Sequence, residues 1–151
     1  MKALYGSLMA VLLAASVAAQ DAPADLQQRA AQANGSDCAR LNMQVARETL
    51  EEAKRLFGSG DLKAAHKEID VSLGYVGHSV DCSLQARKRE KATEIDLRRL
   101  IDRMKEVLHT LDTEDRPHIS HSLAQLEEQR DRLLQAIFGA AAGGGAPEKK
   151  P

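Results

Sequence analysis

Histidine and glutamate side chains at helical spacing are the first residues in this sequence that could do chemistry. Glu106 and His109 form the Glu-x-x-His pattern of di-iron helical bundles, and His118 and His121 stand about one turn apart. At about 100° per residue, Glu106, His109 and His121 point away from the neighbouring apolar stripes. We therefore expect no interior di-iron centre. The remaining candidate is a surface site for a divalent metal at His118 and His121, with Asp115 as a further ligand.

Other catalytic and cofactor patterns are missing from the sequence. It contains no serine elbow, no glycine-rich phosphate loop and no inward pair of carboxylates. Haem ligation would need an inward histidine, and the nearest is His66, on the shoulder of an apolar stripe. We interpret His66 as a hydrogen-bonded packing residue. The sequence thus predicts a protein that is not an enzyme and carries no cofactor.

One charged residue interrupts an apolar stripe: Arg130 lies between Leu126 and Leu133. A guanidinium stays charged and has five donors, so an interior Arg130 would need nearby acceptors. In an antiparallel hairpin the acids within reach are Glu94 and Asp102. We favour a snorkelling side chain that lays its stem on the core. The alternative is a buried ion pair or a binding pocket for an anion at Arg130.

The first residues have the features of a signal peptide. Lys2 precedes an apolar run from Leu8 to Ala15, and small residues lead to a predicted cleavage after Ala19. The run is shorter than the roughly 20 residues that a transmembrane helix needs. We predict that residues 1–19 are a signal peptide and that the protein is exported, to the periplasm or outside the cell.

The two cysteines, Cys38 and Cys82, match no metal or redox motif. An even pair in an oxidising compartment predicts one disulfide. On the chain-entropy model, closing a loop of about 45 residues stabilises the fold by roughly 4 kcal/mol. The bond matters because the chain has no tryptophan and few other aromatic residues to anchor a core.

The charge of the chain favours no particular partner. It has 21 basic and 22 acidic residues, with the signs interspersed. A nucleic-acid binder would usually be basic with a clustered patch. The one candidate patch is RKREK, residues 87–91, which we interpret as a solvated helix face. We expect no nucleic-acid partner, and an anionic lipid or cell-wall polymer would be the better target for such a patch.

Apolar residues at spacings of three and four predict an all-α fold of four helices. Asp61 is a candidate N-cap of the second helix, which should end near GYVGHS, residues 74–79. Cys82 would then start the third helix. Short connections favour an antiparallel up-down-up-down four-helix bundle, which brings Cys38 and Cys82 to the same end. The stripes are Met43, Ala46, Leu50, Ala53 and Phe57; Leu62, Ala65, Ile69, Leu73 and Val76; Leu97, Leu100, Ile101, Met104, Val107, Leu108 and Leu111; and Ile119, Leu123, Leu126, Leu133 and Ile137.

The remaining segments are expected to lie outside this bundle. Residues 20–37 read as a flexible N-terminal segment, in which ADLQQRAAQA, residues 24–33, is a short helix candidate with little to bury. Residues 38–139 read as the bundle domain and residues 140–151 as a disordered tail rich in glycine and alanine. The breaker Asn34-Gly35-Ser36 also fits the N-glycosylation pattern.

Residues 46–76 resemble a tetratricopeptide-repeat hairpin. Gly60 occupies the turn position of that pattern, and Ala65 and Ile69 occupy its small and bulky positions on the second helix. No second copy follows at the repeat length of about 34 residues, and arrays normally need at least about three units to form their groove. What the resemblance implies is protein or peptide binding.

These observations lead to one functional expectation and one alternative. We expect an exported, non-catalytic module of the cell envelope that binds an unknown protein or peptide, or that has a structural role. The alternative is a metal-binding bundle that uses the surface histidines His118 and His121.

Overall fold

The structure, a computed structural model, describes residues 21–142, and the environment of side chains for residues 24–139. The predicted signal peptide, residues 1–19, lies outside the described residues. Between residues 21 and 142 all regular structure is helical, so the predicted all-α bundle is confirmed. The helices are α1 (Asp21–Gln32), α2 (Gly35–Ser59), α3 (Leu62–Ala86), α4 (Glu90–Thr110) and α5 (Arg116–Ala142).

Helices α2 and α3 form the most extensive helix pair of the bundle. Ser72 and Ser79 of α3 donate hydroxyl hydrogen bonds across the pair to the carbonyls of Ala46 and Ala39, each at 2.7 Å. A side chain as short as serine can reach a neighbouring backbone only where two helices approach closely. Small buried residues at intervals of seven permit this approach: Ala39, Ala46 and Ala53 on α2, and Ala65, Ser72 and Ser79 on α3.

The turn between α2 and α3 follows the predicted chemistry. Gly60 has φ 82°, in the left-handed region that favours glycine, and it ends α2. Asp61 accepts a hydrogen bond from the backbone N–H of Ala64 at 3.2 Å, which confirms it as the N-cap of α3. The connection is therefore short, and the two helices run antiparallel.

Helix α3 does not end near residues 74–79, so this predicted boundary was wrong. It continues through Gly74 and Gly77 to Ala86 because buried residues keep its inner face packed over that length. Cys82 consequently lies near the end of α3 rather than at the start of the next helix. Burial of one face outweighs the modest cost of two helical glycines.

The break between α3 and α4 occurs at residues 87–89 instead. Arg87 and Arg89 have φ 48° and 66°, in the left-handed region that non-glycine residues rarely adopt. Ser83 donates to the carbonyl of Lys88 at 2.8 Å, and Thr93 donates to the hydroxyl of Ser83 at 3.2 Å. RKREK is therefore mostly a connection, and its interpretation as a helix face was wrong for residues 87–89.

Helices α4 and α5 complete the bundle with larger side chains. Their buried residues join those of α2 and α3 in one apolar core. The members from α4 and α5 that are 2% exposed or less are Leu97, Leu100, Ile101, Met104, Ile119, Leu126 and Leu133. This core matches the stripes predicted for the last two helices except at Ile137, which is half-buried and lies outside it.

The predicted flexible segment, residues 20–37, contains an additional helix, α1, which packs on α2. Leu26 is 6% exposed and Ala30 is 2% exposed, and they join Leu41 and Val45 in a small second apolar cluster. Two buried residues four positions apart are enough to hold a short helix on its neighbour. The expectation that this segment had little to bury was therefore wrong.

The disulfide between Cys38 and Cys82 is confirmed, with Cα atoms 5.9 Å apart. It joins the beginning of α2 to the last turns of α3, and α4 begins and α5 ends at this same end of the bundle. We call this the disulfide end. Helix α5 continues through Ala142, into the predicted tail, and residues 143–151 lie outside the described part of the chain.

Candidate functional site

A cleft of about 450 Å³ opens where α1, α2 and α3 meet. Apolar and small side chains dominate it, with a few polar groups among them, which is the usual composition of a ligand-binding site. The lining residues are Ala30, Ala31 and Ala33 from the first helix and the residue after it, Cys38 and Asn42 from α2, and Val71, Gly74, Tyr75, His78 and Cys82 from α3. We call this the α1–α3 cleft.

Gly74 is the most informative residue of the α1–α3 cleft. It lies inside α3, where glycine costs about 0.5–1 kcal/mol relative to alanine. A Cβ atom added at Gly74 would meet no atom within 4 Å, and the same holds for Gly77, which does not line the cleft. Packing within the chain therefore does not require glycine at either position. At Gly74 the missing side chain leaves the backbone of α3 open to the cleft.

Two polar side chains of the cleft have no partner within the described residues. Tyr75 is half-buried and touches both apolar clusters, and His78 is exposed. Asn42, in contrast, donates to the carbonyl of Cys38 at 2.9 Å and is already used within α2. Tyr75 and His78 thus have hydrogen-bonding capacity to offer a bound molecule.

This cleft was not predicted from the sequence, because its residues lie on segments whose predicted structure differs from the observed one. Gly74, Tyr75 and His78 fall in the segment that was taken as the end of a helix, and Ala30 falls in the segment that was taken as flexible. Two glycines inside a long apolar repeat could have served as a signal, since a continuous helix has no need of them.

The predicted metal residue His118 does not face water as expected. Its ring stacks on His66 of α3 with centroids 4.4 Å apart, and the ring of Phe57 meets His66 edge-on at 5.6 Å. The Nε2 atoms of His66 and His118 are shielded from solvent and have no hydrogen-bond partner. His118 Nε2 lies 3.1 Å from Asp70 Oδ1, a distance typical of an ion pair, but not with hydrogen-bond geometry. Stacking, rather than the expected hydrogen bond, holds His66.

This geometry does not favour the metal site. Imidazole lone pairs lie in the ring plane, and the planes of His66 and His118 differ by only 25°, so their nitrogens do not converge on one ion. His121 is exposed. Among residues 24–139, no three histidine, cysteine, aspartate or glutamate side chains are grouped so that they could hold a metal, and this includes His118, His121 and Asp115.

Arg130 forms a half-buried ion pair, an arrangement between the two that we considered, a snorkelling side chain and a fully buried pair. Its Nε lies 2.9 Å from Glu94 Oε1, and the side chains of Arg130 and Glu94 are 30% and 12% exposed. Glu127 Oε2 is 3.8 Å from Nη1. The hydrogen bond with Glu94 raises the pKa of the Arg130 guanidinium. The guanidinium of Arg130, which was considered for anion binding, is therefore already paired with carboxylates of the protein itself.

A wider hollow of about 900 Å³ follows α2, and its lining is strongly charged. The charges largely neutralise one another: Arg103 pairs with Glu51, and Arg55 pairs with Glu52, which lowers the pKa of the Glu52 carboxyl. Charges that are satisfied within the chain have little to offer a ligand. The α1–α3 cleft is the better candidate site.

Comparison of the chain with family models, with curated proteins and with solved structures gives no match. Within residues 21–142, no helix is long and apolar enough to cross a membrane.

Proposed function

We propose that the chain is an exported, non-catalytic helical protein that binds a protein or peptide partner in the α1–α3 cleft. The observation that carries this proposal is Gly74. A helix-breaking residue that internal packing does not need stands in the cleft, where it allows a partner to approach the helix backbone.

The lining of the cleft supports a partner with an apolar face. Ala30, Ala31 and Ala33 offer a smooth surface of small side chains, and Tyr75 offers an aromatic surface with a hydroxyl. An amphipathic helix or an apolar side chain of a peptide fits between helices in this way. The resemblance of residues 46–76 to a peptide-binding repeat hairpin points to the same class of partner.

Export rests on two observations of different kinds. The first residues have the pattern of a signal peptide, and Cys38 and Cys82 form a disulfide, which persists in oxidising compartments. We therefore place the partner in the cell envelope or outside the cell. Metal binding through His118 and His121, the alternative, has no supporting ligand group among the described residues.

The test uses Gly74→Ala with Gly77→Ala as its matched control. Both changes should raise the free energy of unfolding by about 0.5–1 kcal/mol, because alanine is the better helix former and neither Cβ meets another atom. Only Gly74→Ala places a methyl group in the cleft. Cross-linking in the envelope of the source cell should therefore capture a partner with the wild type and with Gly77→Ala, but far less with Gly74→Ala.

The outcomes separate binding from stability, since both variants fold at least as well as the wild type. Equal capture by Gly74→Ala and Gly77→Ala would show that the partner does not use this cleft. If Gly74→Ala still captures the partner and a substitution elsewhere abolishes the capture, the binding site lies on that other surface.

A further inference from the structure

The connection between α3 and α4 carries a set of basic side chains without internal partners. Arg87, Lys88, Arg89 and Lys91 are exposed, and in the described part of the chain none forms an ion pair with a carboxylate. Most arginines elsewhere form ion pairs, although Arg98 and Arg116 do not within the described residues. Arg47, Arg103 and Arg132, for example, pair with Asp96, Glu51 and Asp81 of other helices.

The backbone conformation of this connection is one in which arginine is an unexpected residue. Arg87 and Arg89 both adopt left-handed φ values, 48° and 66°, where glycine would be the favourable residue. The hydroxyls of Ser83 and Thr93 hold the connection in place through the carbonyl of Lys88. Positive charge is thus presented at two positions where the conformation disfavours a side chain.

An exposed aromatic side chain lies at the same end of the bundle. Phe138 of α5 is 66% exposed, the largest value among the large apolar residues of the described chain. Its neighbour Ile137 is half-buried and lines one shallow hollow together with Arg89, Glu90 and Lys91. Two unpaired cations therefore lie beside an apolar residue whose neighbour along the chain, Phe138, is exposed at the disulfide end.

We propose that the disulfide end docks on an anionic lipid bilayer, through the basic residues Arg87, Lys88, Arg89 and Lys91 and the apolar residues Ile137 and Phe138. Cations reach headgroup phosphates while an aromatic side chain enters the boundary with the acyl chains, which is how peripheral proteins bind membranes. Near an anionic surface each basic residue strengthens binding about fivefold. The contact is peripheral and reversible, and it does not depend on occupation of the α1–α3 cleft.

The experiment measures co-sedimentation of the mature chain with two kinds of vesicle. One contains phosphatidylcholine alone, and the other contains equal parts of phosphatidylcholine and phosphatidylglycerol. We expect binding to the second kind only, weakening as salt is added because counterions screen the headgroups. Arg87→Gln with Lys88→Gln should weaken binding about 25-fold.

A matched control is available on the same helix pair. Lys63→Gln with Lys67→Gln removes the same charge from exposed residues near the opposite end of α3, and neither lysine forms an ion pair with a described residue. This control should bind as the wild type does. Phe138→Ser should weaken binding about tenfold without lowering the melting temperature, because its ring is already mostly exposed.

Several results would overturn the proposal. Equal loss in the control would show that net charge, rather than this surface, governs binding. Unchanged binding of Phe138→Ser would show that the apolar part does not enter the bilayer. Binding to a soluble polyphosphate but not to anionic vesicles would show that this surface binds an anionic polymer rather than a lipid bilayer.

Discussion

The two helical hairpins of the bundle reach the same antiparallel arrangement by different means. In α2 and α3, small residues allow close approach, and Ser72 and Ser79 bond directly to the opposite backbone. In α4 and α5, buried leucine, isoleucine and methionine side chains fill a wider space, and ion pairs such as Arg130–Glu94 join the two helices. The first hairpin depends on proximity of its backbones, and the second depends on side-chain volume.

This difference explains which substitutions each hairpin tolerates. A close pair loses stability when a directional bond or a covalent tie is removed, since both hold the two backbones near each other. A wide pair loses stability when a large side chain or a half-buried charge loses its counterpart. The three predictions that follow test this contrast, beginning with the largest effect.

Removing the disulfide should have the largest effect. Cys38→Ser with Cys82→Ser should lower the free energy of unfolding by about 4 kcal/mol, because the unfolded chain regains the freedom of a loop whose ends are 44 positions apart. Urea denaturation monitored by circular dichroism measures the change. Reducing the wild-type bond with a thiol should give the same loss, and a loss below about 1 kcal/mol would mean that the close packing of α2 and α3 needs no covalent tie.

Breaking the Arg130–Glu94 pair should have an intermediate effect. Arg130→Met leaves the Glu94 carboxylate, 12% exposed, without its partner, and should cost about 1–2 kcal/mol, between the values of surface and buried pairs. Lys105→Met is the matched control, because Lys105 and Glu127 are 49% and 41% exposed and their pair should contribute less than about 1 kcal/mol.

Two further results would decide this case. Adding Glu94→Gln to Arg130→Met should restore part of the loss, since it removes the unpaired charge. A neutral or stabilising Arg130→Met would instead show that the ion pair contributes nothing and that the stem of the side chain is what packs.

The smallest expected effect on stability comes from removing one serine hydroxyl, and it distinguishes hydrogen bonds between two helices from hydrogen bonds within one helix. Ser72→Ala should cost about 1 kcal/mol, because the hydroxyl bridges α3 to α2. Ser122→Ala is the control: Ser122 is equally buried, and its change brings the same gain in helix propensity, but its hydroxyl bonds to His118 of its own helix, and such a bond adds little stability. Its cost should therefore lie within about 0.5 kcal/mol of zero. Thermal melts of both variants give the comparison, and equal costs would contradict the special role of the first hairpin's hydroxyls.

The regular apolar stripes made the all-α bundle and the disulfide predictable. Side-chain periodicity is a local property, so the core residues of α4 and α5 could be named directly. The antiparallel order then placed Cys38 and Cys82 at one end. These predictions succeeded because each needed only helix geometry and short connections.

The errors arose where distant residues decide local structure. Gly74 and Gly77 indicated a helix end, but burial on other helices carries α3 through them. The real break, at Arg87 and Arg89, has neither glycine nor proline to announce it, because hydroxyls of Ser83 and Thr93 hold it. The candidate site was not predicted for the same reason, since the cleft forms only when α1 is folded and α3 is continuous.

The orientation of His118 shows the same limit at the level of one side chain. His118 was assigned to the surface together with His121, whose direction was compared with the stripe of its own helix, and such a stripe says nothing of what an adjacent helix places beside a residue. His66 and Asp70 of α3 supply that environment. Sequence periodicity predicts which face a residue occupies, but not which neighbour completes the contact.

The small interface of α1 bears on how much of the time the cleft is present. Leu26 and Ala30 are its buried anchors in the described chain, and they contact a cluster apart from the main core. Local opening requires only the free energy of the contacts that it breaks, so α1 can detach while the bundle remains folded. Amide protons of α1 should accordingly exchange with solvent much faster than those of α2. Because Ala30, Ala31 and Ala33 line the cleft, the cleft exists only while α1 is docked, and the fraction of molecules that present it is set by the docking equilibrium of one short helix, whatever the global stability of the protein.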